Sequence, residues 1–486
     1  MSGISSYLTP GRVNKINLLC LLLAICWILF LPLKKEIWYD ETVSVLISKG
    51  FSHDSPAEFA SHASATNETL AQLNTTSNVY HATLVDNGNS FLYNICLHWF
   101  TGICGNSLTV YVLFSKICAA AALLAFFVLC SLFFESSIFT AVAIILFASD
   151  KIFWGMAHEI RAYEMGMFFI ILSAINWFRY MYRAEKPMNL FLTGLFAACA
   201  ILCHYLSVYA VLVFIGYLVA TKKAKLFTAK NILALLIPVA IIGVYFYGAA
   251  FAFGNMNRQN LTIKAKTISE GFSVAQVAIR SMKFAALNFK FIYPAVKGNT
   301  AVVVLSFLMV IGTYIAALKF STTKEQKRNL NLLFILGFSS SIFLGVLSLK
   351  AHHYTPLYSR YYSFSVPFCT LFVAYALKVI VDAIDMKAVV AGAATALIII
   401  PCCALFVLGN VKNAPILAYN HIPLAKTIVN DNIAKVEVPN WAEAFLVSSF
   451  LPADHKIEYV LNNTAYNFVL YKPAGIETIP VIRIDN

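Results

Sequence analysis

Two carboxylates stand side by side in Trp38-Tyr39-Asp40-Glu41-Thr42, just beyond the first long apolar stretch, residues 16–33. Acids at the mouth of a membrane span are costly unless they are solvated, paired or used. Their side chains also point in different directions, so they can serve two ends. An ionised carboxylate there can take a proton from a hydroxyl, hold a cation or metal, or simply open a hydrated loop. A second cluster, His158-Glu159-Ile160-Arg161-Ala162-Tyr163-Glu164, joins two apolar runs with almost no loop. An ionisable group at mid-membrane costs on the order of 3 kcal/mol, so this cluster needs water, pairing or a ligand. Arg161 and Glu164 have the spacing of a helical ion pair; alternatively, the planar donors of Arg161 suit a lipid phosphate. A third cluster runs Lys350-Ala351-His352-His353-Tyr354 and then Tyr358-Ser359-Arg360-Tyr361-Tyr362. Adjacent histidines make a poor chelate, and no third ligand accompanies them. Arg360 among tyrosines fits a phosphate contact or an interfacial anchor. His204-Tyr205 is one more pair, and its histidine reads as structural.

The elements that must position these clusters are membrane spans. Hydrophobic residues make up 60% of the 486 and charged residues 12%, with a mean hydropathy of +0.74. A soluble chain of this length cannot hide that much apolar surface, which predicts an all-α polytopic membrane protein. The formal charge of +13 fits cytoplasmic loops and anionic lipids; no basic-aromatic motif points to nucleic acid. Most of the eleven cysteines lie in apolar runs as small core residues, and the absence of a CxxC pair leaves zinc-ribbon and redox readings unsupported.

Apolar segments predict about eleven spans, at 16–33, 108–133, 138–156, 162–182, 189–203, 206–220, 231–253, 300–318, 331–349, 361–380 and 388–409. The first reads as a retained span, because its end lacks a small-x-small cleavage site. The Lys/Arg bias of the loops puts the N-terminus in the cytoplasm and all three clusters on the external side. Residues 1–410 then form the transmembrane domain, with a long first external loop over about 34–107. That loop is polar from Ser61 to Asn89 and ends in an apolar-faced stretch, Ser90 to Gly102, suited to a helix lying along the membrane. The loop from Gly254 to Asn299 is also external yet basic, which fits a solvated face, lipid headgroups or a phosphorylated substrate. The tail 411–486, with six prolines and alternating runs, predicts a small external α/β domain containing one helix near Trp441–Phe450. No internal repeat is evident, which disfavours inverted-repeat transporters.

Acid at the first loop and cations at later ones suit transfer from a lipid-phosphate donor to an external acceptor. Here the chain resembles a family. Trp38-Tyr39-Asp40-Glu41 is similar to the acidic motif of GT-C glycosyltransferases of the protein O-mannosyltransferase and aminoarabinose (lipid A) transferase type. Asn89-Ser-Phe-Leu-Tyr-Asn-Ile-Cys-Leu-His98-Trp-Phe with Gly105-Asn-Ser107 resembles the segment that leads into the family's second span, with its usual prolines replaced. His158-Glu159-Ile160-Arg161-Ala162-Tyr163 and Ser359-Arg360-Tyr361-Tyr362 resemble two later motifs. The resemblance implies an inverting transferase that moves a sugar from a polyprenyl-phosphate donor to a lipid-linked, glycan or protein acceptor. It implies Asp40 as the catalytic base and Glu41 as support, with Arg161 and Arg360 on the donor phosphate. Tyr39, His158, Glu159, Tyr163, His352, His353, Tyr358 and Tyr361 line the expected substrate site. No cofactor is required by the motifs; some relatives carry a divalent metal, for which no ligand set maps here. The short tail resembles bacterial relatives, which implies a bacterial inner membrane and a site on its periplasmic face. Two other readings stay open: a glycan polymerase or ligase, which would not be expected to place an acidic pair directly after its first span, and a flippase or transporter, which would bury its charges mid-span.

Overall fold

The computed structural model describes residues 15–30, 39–51, 64–134, 138–244, 300–351, 359–384 and 421–480, with short breaks inside these ranges. The chain is mostly helical. The elements are α1 (Lys15–Phe30), α2 (Tyr39–Ser48), β1 (Ser64–Thr66), α3 (Asn67–Gln72), α4 (Thr76–Val85), α5 (Phe91–Cys104), α6 (Leu108–Phe134), α7 (Ile138–Ala148), α8 (Lys151–Met156), α9 (Tyr163–Tyr182), α10 (Pro187–Cys203), α11 (Val208–Leu226), α12 (Thr300–Phe320), α13 (Lys324–Ala351), α14 (Val366–Ala383), α15 (His421–Asn430), β2 (Lys435–Val438), α16 (Trp441–Ser448), β3 (Glu458–Leu461), β4 (Asn467–Lys472) and β5 (Gly475–Pro480). Short 3-10 turns at Tyr205–Ser207 and Ser359–Ser365 precede α11 and α14.

Three helical stretches among the described residues, Leu108–Phe134, Lys324–Val346 and Arg360–Ala383, are long and apolar enough to cross a membrane. Shorter apolar helices include Lys15–Phe30, Ile138–Ala148 and Pro187–Cys203. Helix α1 is apolar all round: Leu21, Ala24 and Ile28 are buried, while Leu19, Leu22 and Leu23 are exposed. Such a helix wants an apolar medium on its outer side. The expected span at 388–409, the basic loop 254–299, and His352, His353 and Tyr358 lie outside the described residues.

The main apolar core gathers side chains from α1, α6, α7, α9, α10, α13 and α14, including Phe126, Phe147, Trp177, Leu333 and Phe372. A second core joins the first loop to the tail, through Val45 and Phe51 near the end of α2, Leu97 of α5, and Ile428, Val436 and Phe445 of the tail. Phe51 and Phe445 stack with ring centroids 4.6 Å apart.

The stretch Phe91–Cys104 is helical, with Tyr93 and Leu97 buried and Trp99 and Ile103 exposed. The polar middle of the first loop also has regular structure, in β1, α3 and α4. The sheet has the order β1-β3-β2-β4-β5. Only β2 and β3 run parallel, with Val436 opposite Tyr459; β1, β4 and β5 pair antiparallel to their neighbours. Strand β1 comes from the first loop, where Ala65 sits opposite Tyr459. The sheet therefore draws on both ends of the chain. The helix expected near Trp441–Phe450 is α16.

Candidate active site

Helix α2 starts at Tyr39, so Asp40 and Glu41 occupy its first turn, where negative charge meets the positive end of the helix dipole. Successive helical residues diverge by about 100°, and the two acids part company. Glu41 is fully buried, and its Oε1 accepts a hydrogen bond from the Ile160 backbone N–H at 2.6 Å. It clamps the turn that follows α8. Asp40 stays partly exposed and faces two guanidiniums.

The turn at 157–162 is shaped from below. Asp150 caps α8, accepting from the N–H groups of Ile152 and Phe153 at 2.8 and 3.0 Å. His158 is buried, its ring packs on Trp154 at 4.5 Å, and its Nδ1 lies 2.8 Å from the Trp154 carbonyl. The Arg161 N–H bonds the Glu159 carbonyl at 2.8 Å, a tight reversal. Arg161 is thereby aimed at α2. Its Nη1 donates to the Asp40 carbonyl at 2.8 Å and to Ser44 Oγ at 3.2 Å, and its Nη2 lies 3.9 Å from Asp40 Oδ2. The helical pairing of Arg161 with Glu164, one of the two sequence readings, is replaced by this pairing with Asp40. Glu164 is buried in the first turn of α9, and neither carboxylate oxygen has a hydrogen-bond partner.

Arg360 arrives from the far side on the 3-10 turn before α14. Its Nη2 is 2.9 Å from Asp40 Oδ2. Close packing brings that turn in. Gly166 of α9 faces Phe364, and a Cβ at Gly166 would come within 2.8 Å of the Phe364 ring. Tyr209 Oη donates to the Tyr361 carbonyl at 3.3 Å, and Ser365 Oγ bonds Ser340 Oγ at 2.8 Å. Each guanidinium has an aromatic neighbour: Arg161 lies 6.0 Å from the Tyr163 ring and Arg360 lies 5.6 Å from the Tyr361 ring. Such contacts favour a desolvated cation.

His204 completes the wall. It is buried, with Tyr163 stacked 4.7 Å from its ring and Tyr205 at 5.0 Å. Its Nδ1 accepts from the Leu206 N–H at 3.2 Å, which places the imidazole hydrogen on Nε2. Burial, followed by the charges of Arg161 and Arg360, pushes its pKa down to about 3. It is a neutral group within the field of two cations.

The Arg161 and Tyr163 side chains interact with each other, and beyond that contact the buried Arg161 Nε and Tyr163 Oη have no hydrogen-bond partner. A buried unmade hydrogen bond costs about 1–3 kcal/mol, and a cationic one invites an anion. The structure thus gathers Asp40, Arg161, Tyr163, Arg360 and Tyr361. His158 and Glu41 act from behind, Glu159 is half-buried on the same turn, and Tyr39 opens α2. The residues that sequence reasoning passed over are Ser44, the Gly166–Phe364 contact and Asp86; His204 is singled out there, but as a structural residue. Among the described residues no group of three His, Cys, Asp or Glu side chains is placed to hold a metal ion. Asp40, the carboxylate that faces the arginines, already engages both of them through one oxygen, Oδ2.

No protein-family model matches the chain, and no curated protein matches it. Solved structures do. The Archaeoglobus fulgidus oligosaccharyltransferase in complex with zinc and sulfate aligns with a TM-score of 0.43 at 11% identity, over 93% of this chain and 63% of that one. ArnT from Cupriavidus metallidurans bound to undecaprenyl phosphate aligns with a TM-score of 0.45 at 10% identity, over 89% of this chain and 74% of that one. The archaeal oligosaccharyltransferase AglB from A. fulgidus, with an inhibitory peptide and a dolichol-phosphate, aligns with a TM-score of 0.42 at 11% identity, over 91% and 60%. The chain spans less than two thirds of the length of the oligosaccharyltransferases it matches. These proteins are GT-C fold glycosyltransferases, and this chain is similar to them at a distance that leaves its chemistry to be argued from its own site.

Proposed function

We propose that the protein is an integral membrane glycosyltransferase that moves a sugar from a polyprenyl-phosphate donor to an acceptor hydroxyl on a lipid, glycan or protein. The observation that carries this reading is the pairing of one partly exposed carboxylate, Asp40, with two buried-edge guanidiniums beside donors that lack partners. A glycosyl phosphodiester carries one negative charge and matches that cradle. When it binds, Arg161 and Arg360 turn from Asp40 to its oxygens, and Asp40 is released to face the acceptor.

The bonds then change as follows. Asp40 takes the proton of the acceptor hydroxyl as that oxygen forms its bond to the anomeric carbon. The bond from that carbon to the phosphate oxygen breaks, and its electron pair leaves with the phosphate. The phosphate gains a second negative charge, which the arginines hold more strongly than the first. This differential binding is what lowers the barrier. Attack opposite to the leaving phosphate inverts the anomeric centre. The full reading has about eleven spans, a transmembrane domain over residues 1–410 and a small domain at 411–486. It places the protein in a bacterial inner membrane with its site on the periplasmic face.

The test is transfer by purified protein from radiolabelled polyprenyl-phosphate hexoses and pentoses, wild type against Asp40→Asn. Transfer that depends on Asp40 is expected with one donor. Wild-type turnover by the variant would sink the assignment, and charges that prove to line a solute path would favour a flippase.

A further inference from the structure

The turn between α4 and α5 carries a set of side-chain oxygens that the proposed reaction does not use. Asp86 closes α4, its N–H bonded to the Ala82 carbonyl at 3.1 Å, and the Gly88 N–H reaches the Thr83 carbonyl at 2.8 Å with Gly88 at φ 70°. Ser90 is also left-handed, at φ 62°, a conformation uncommon for a residue with a side chain and often found at ligand sites.

The turn is packed against the helix that bears Asp40. Ala82 forms a small buried cluster with Val43 and Ile47 of α2. Asp86 follows Ala82 by one helical turn, and Asp40 precedes Val43 by nearly one. The charges of Arg161 and Asp40 both act on Asp86, though burial has the largest effect and pushes its carboxyl up to about 6.

Asn94 supplies the orienting detail. It is 1% exposed. Its Nδ2 donates to Thr83 Oγ1 at 3.3 Å. Thr83 gives its own hydrogen to the Val79 carbonyl at 2.8 Å, so toward Asn94 it can only accept. That fixes the amide, and Asn94 Oδ1 is left buried with no donor. Asn89 Oδ1 is also buried with no donor. Two empty acceptors and one carboxyl ask for a ligand rich in O–H or N–H donors. The phosphate cradle is the reverse: donors without acceptors.

We infer that Asp86, Asn89 and Asn94 form a subsite that reads the hydroxyl groups of a sugar held beside Asp40. The inference rests on the proposed transferase reading, which brings both a donor sugar and an acceptor there. The shared chemistry is a polyhydroxyl ring, and experiment decides which of the two sugars supplies it.

The probes are undecaprenyl phosphate, its mannosyl and arabinosyl esters, and an oligosaccharide acceptor fraction, with full-length protein in detergent. The variants are Asp86→Ala and Asn89→Ala, with Asn94→Ala added where its melting matches wild type. A donor-sugar subsite loses at least tenfold in affinity for the glycosyl ester while bare undecaprenyl phosphate binds within twofold of wild type. An acceptor subsite leaves donor binding unchanged and raises KM for the acceptor tenfold at unchanged kcat. Wild-type values throughout overturn the subsite. So does an equal loss for bare and glycosylated lipid, and so does a wild type that gains nothing from the sugar on either side. Arg161→Ala is the separate control: should it keep wild-type affinity for bare undecaprenyl phosphate, the phosphate reading fails while a sugar-dependent loss at Asp86 would still stand.

Discussion

The two ends of helix α2 handle charge in opposite ways. At its start, Asp40 keeps partial solvent access and is balanced by two guanidiniums from distant parts of the chain. At its end, Lys49 is 4% exposed and, among the described residues, is held by neutral groups. It donates to Thr101 Oγ1 at 3.2 Å and to Asn106 Oδ1, and its amine lies 5.8 Å from the centre of the Tyr111 ring. Burial pushes the Lys49 pKa down to about 8. The start of the helix is balanced by charges that another anion can displace. The end is balanced by fixed dipoles, including the negative end of α2 itself. On the proposed reading one helix thus carries a reactive end and a pinned end, and the pin ties it to the junction of α5 and α6.

That contrast can be broken at its reactive end first. Asp40→Asn is expected to cut transfer by about a thousandfold or more while the melting temperature moves little; a melting curve with an activity assay separates the two. Arg161→Ala and Arg360→Ala are each expected to lose about a hundredfold in kcat/KM, about 2.7 kcal/mol, mainly through donor handling. Lysine at either position should restore little, because the planar fork is lost. Between the two ends, Glu41→Gln should weaken the clamp on Ile160 and cost about 1–3 kcal/mol in stability, read by chemical or thermal unfolding, with a smaller drop in kcat.

The pinned end gives an effect on stability alone, and the one with a pH signature. Lys49 binds its proton less tightly folded than unfolded. Below pH about 8 both states are charged and the penalty of burial is present in full. As pH rises from about 8 toward the ordinary lysine value of 10.5, the folded state sheds the proton first, and stability rises across that window. Lys49→Met should abolish that rise, about 3 kcal/mol for a displacement of that size, when compared with wild type. A variant whose stability tracks wild type from pH 8 to 10.5 would show that the amine is not pinned in this way.

Much of the reactive end was legible in the sequence. Asp40, Arg161 and Arg360 stand out because charges beside apolar spans must have a reason, and each proves to touch another. The role of Glu41 was not legible. Its partner is the backbone N–H of Ile160, and a backbone donor leaves no mark in residue types. Arg161 could be read as a local helical pair because sequence spacing cannot show that the chain reverses at Glu159. His204 did read as structural, and its burial agrees, but its stacking on Tyr163 is a product of tertiary packing. Asp86 was lost in a polar stretch, although Asp86-Asn87-Gly88 carries an ordinary turn signal. Strand β1 had no pattern to find: Ser-Ala-Thr becomes a strand only because β3 lies beside it.

That last pairing sets a clock on biosynthesis. Ser64 is opposite Val460, so the first loop leaves the ribosome roughly 400 residues before its partner; at about 5–20 residues per second the wait is roughly 20–80 seconds. Throughout it, the outer segment must be kept from pairing with other exposed edges. A chain truncated before Glu458 would never complete the match, and its first loop would betray the missing tail.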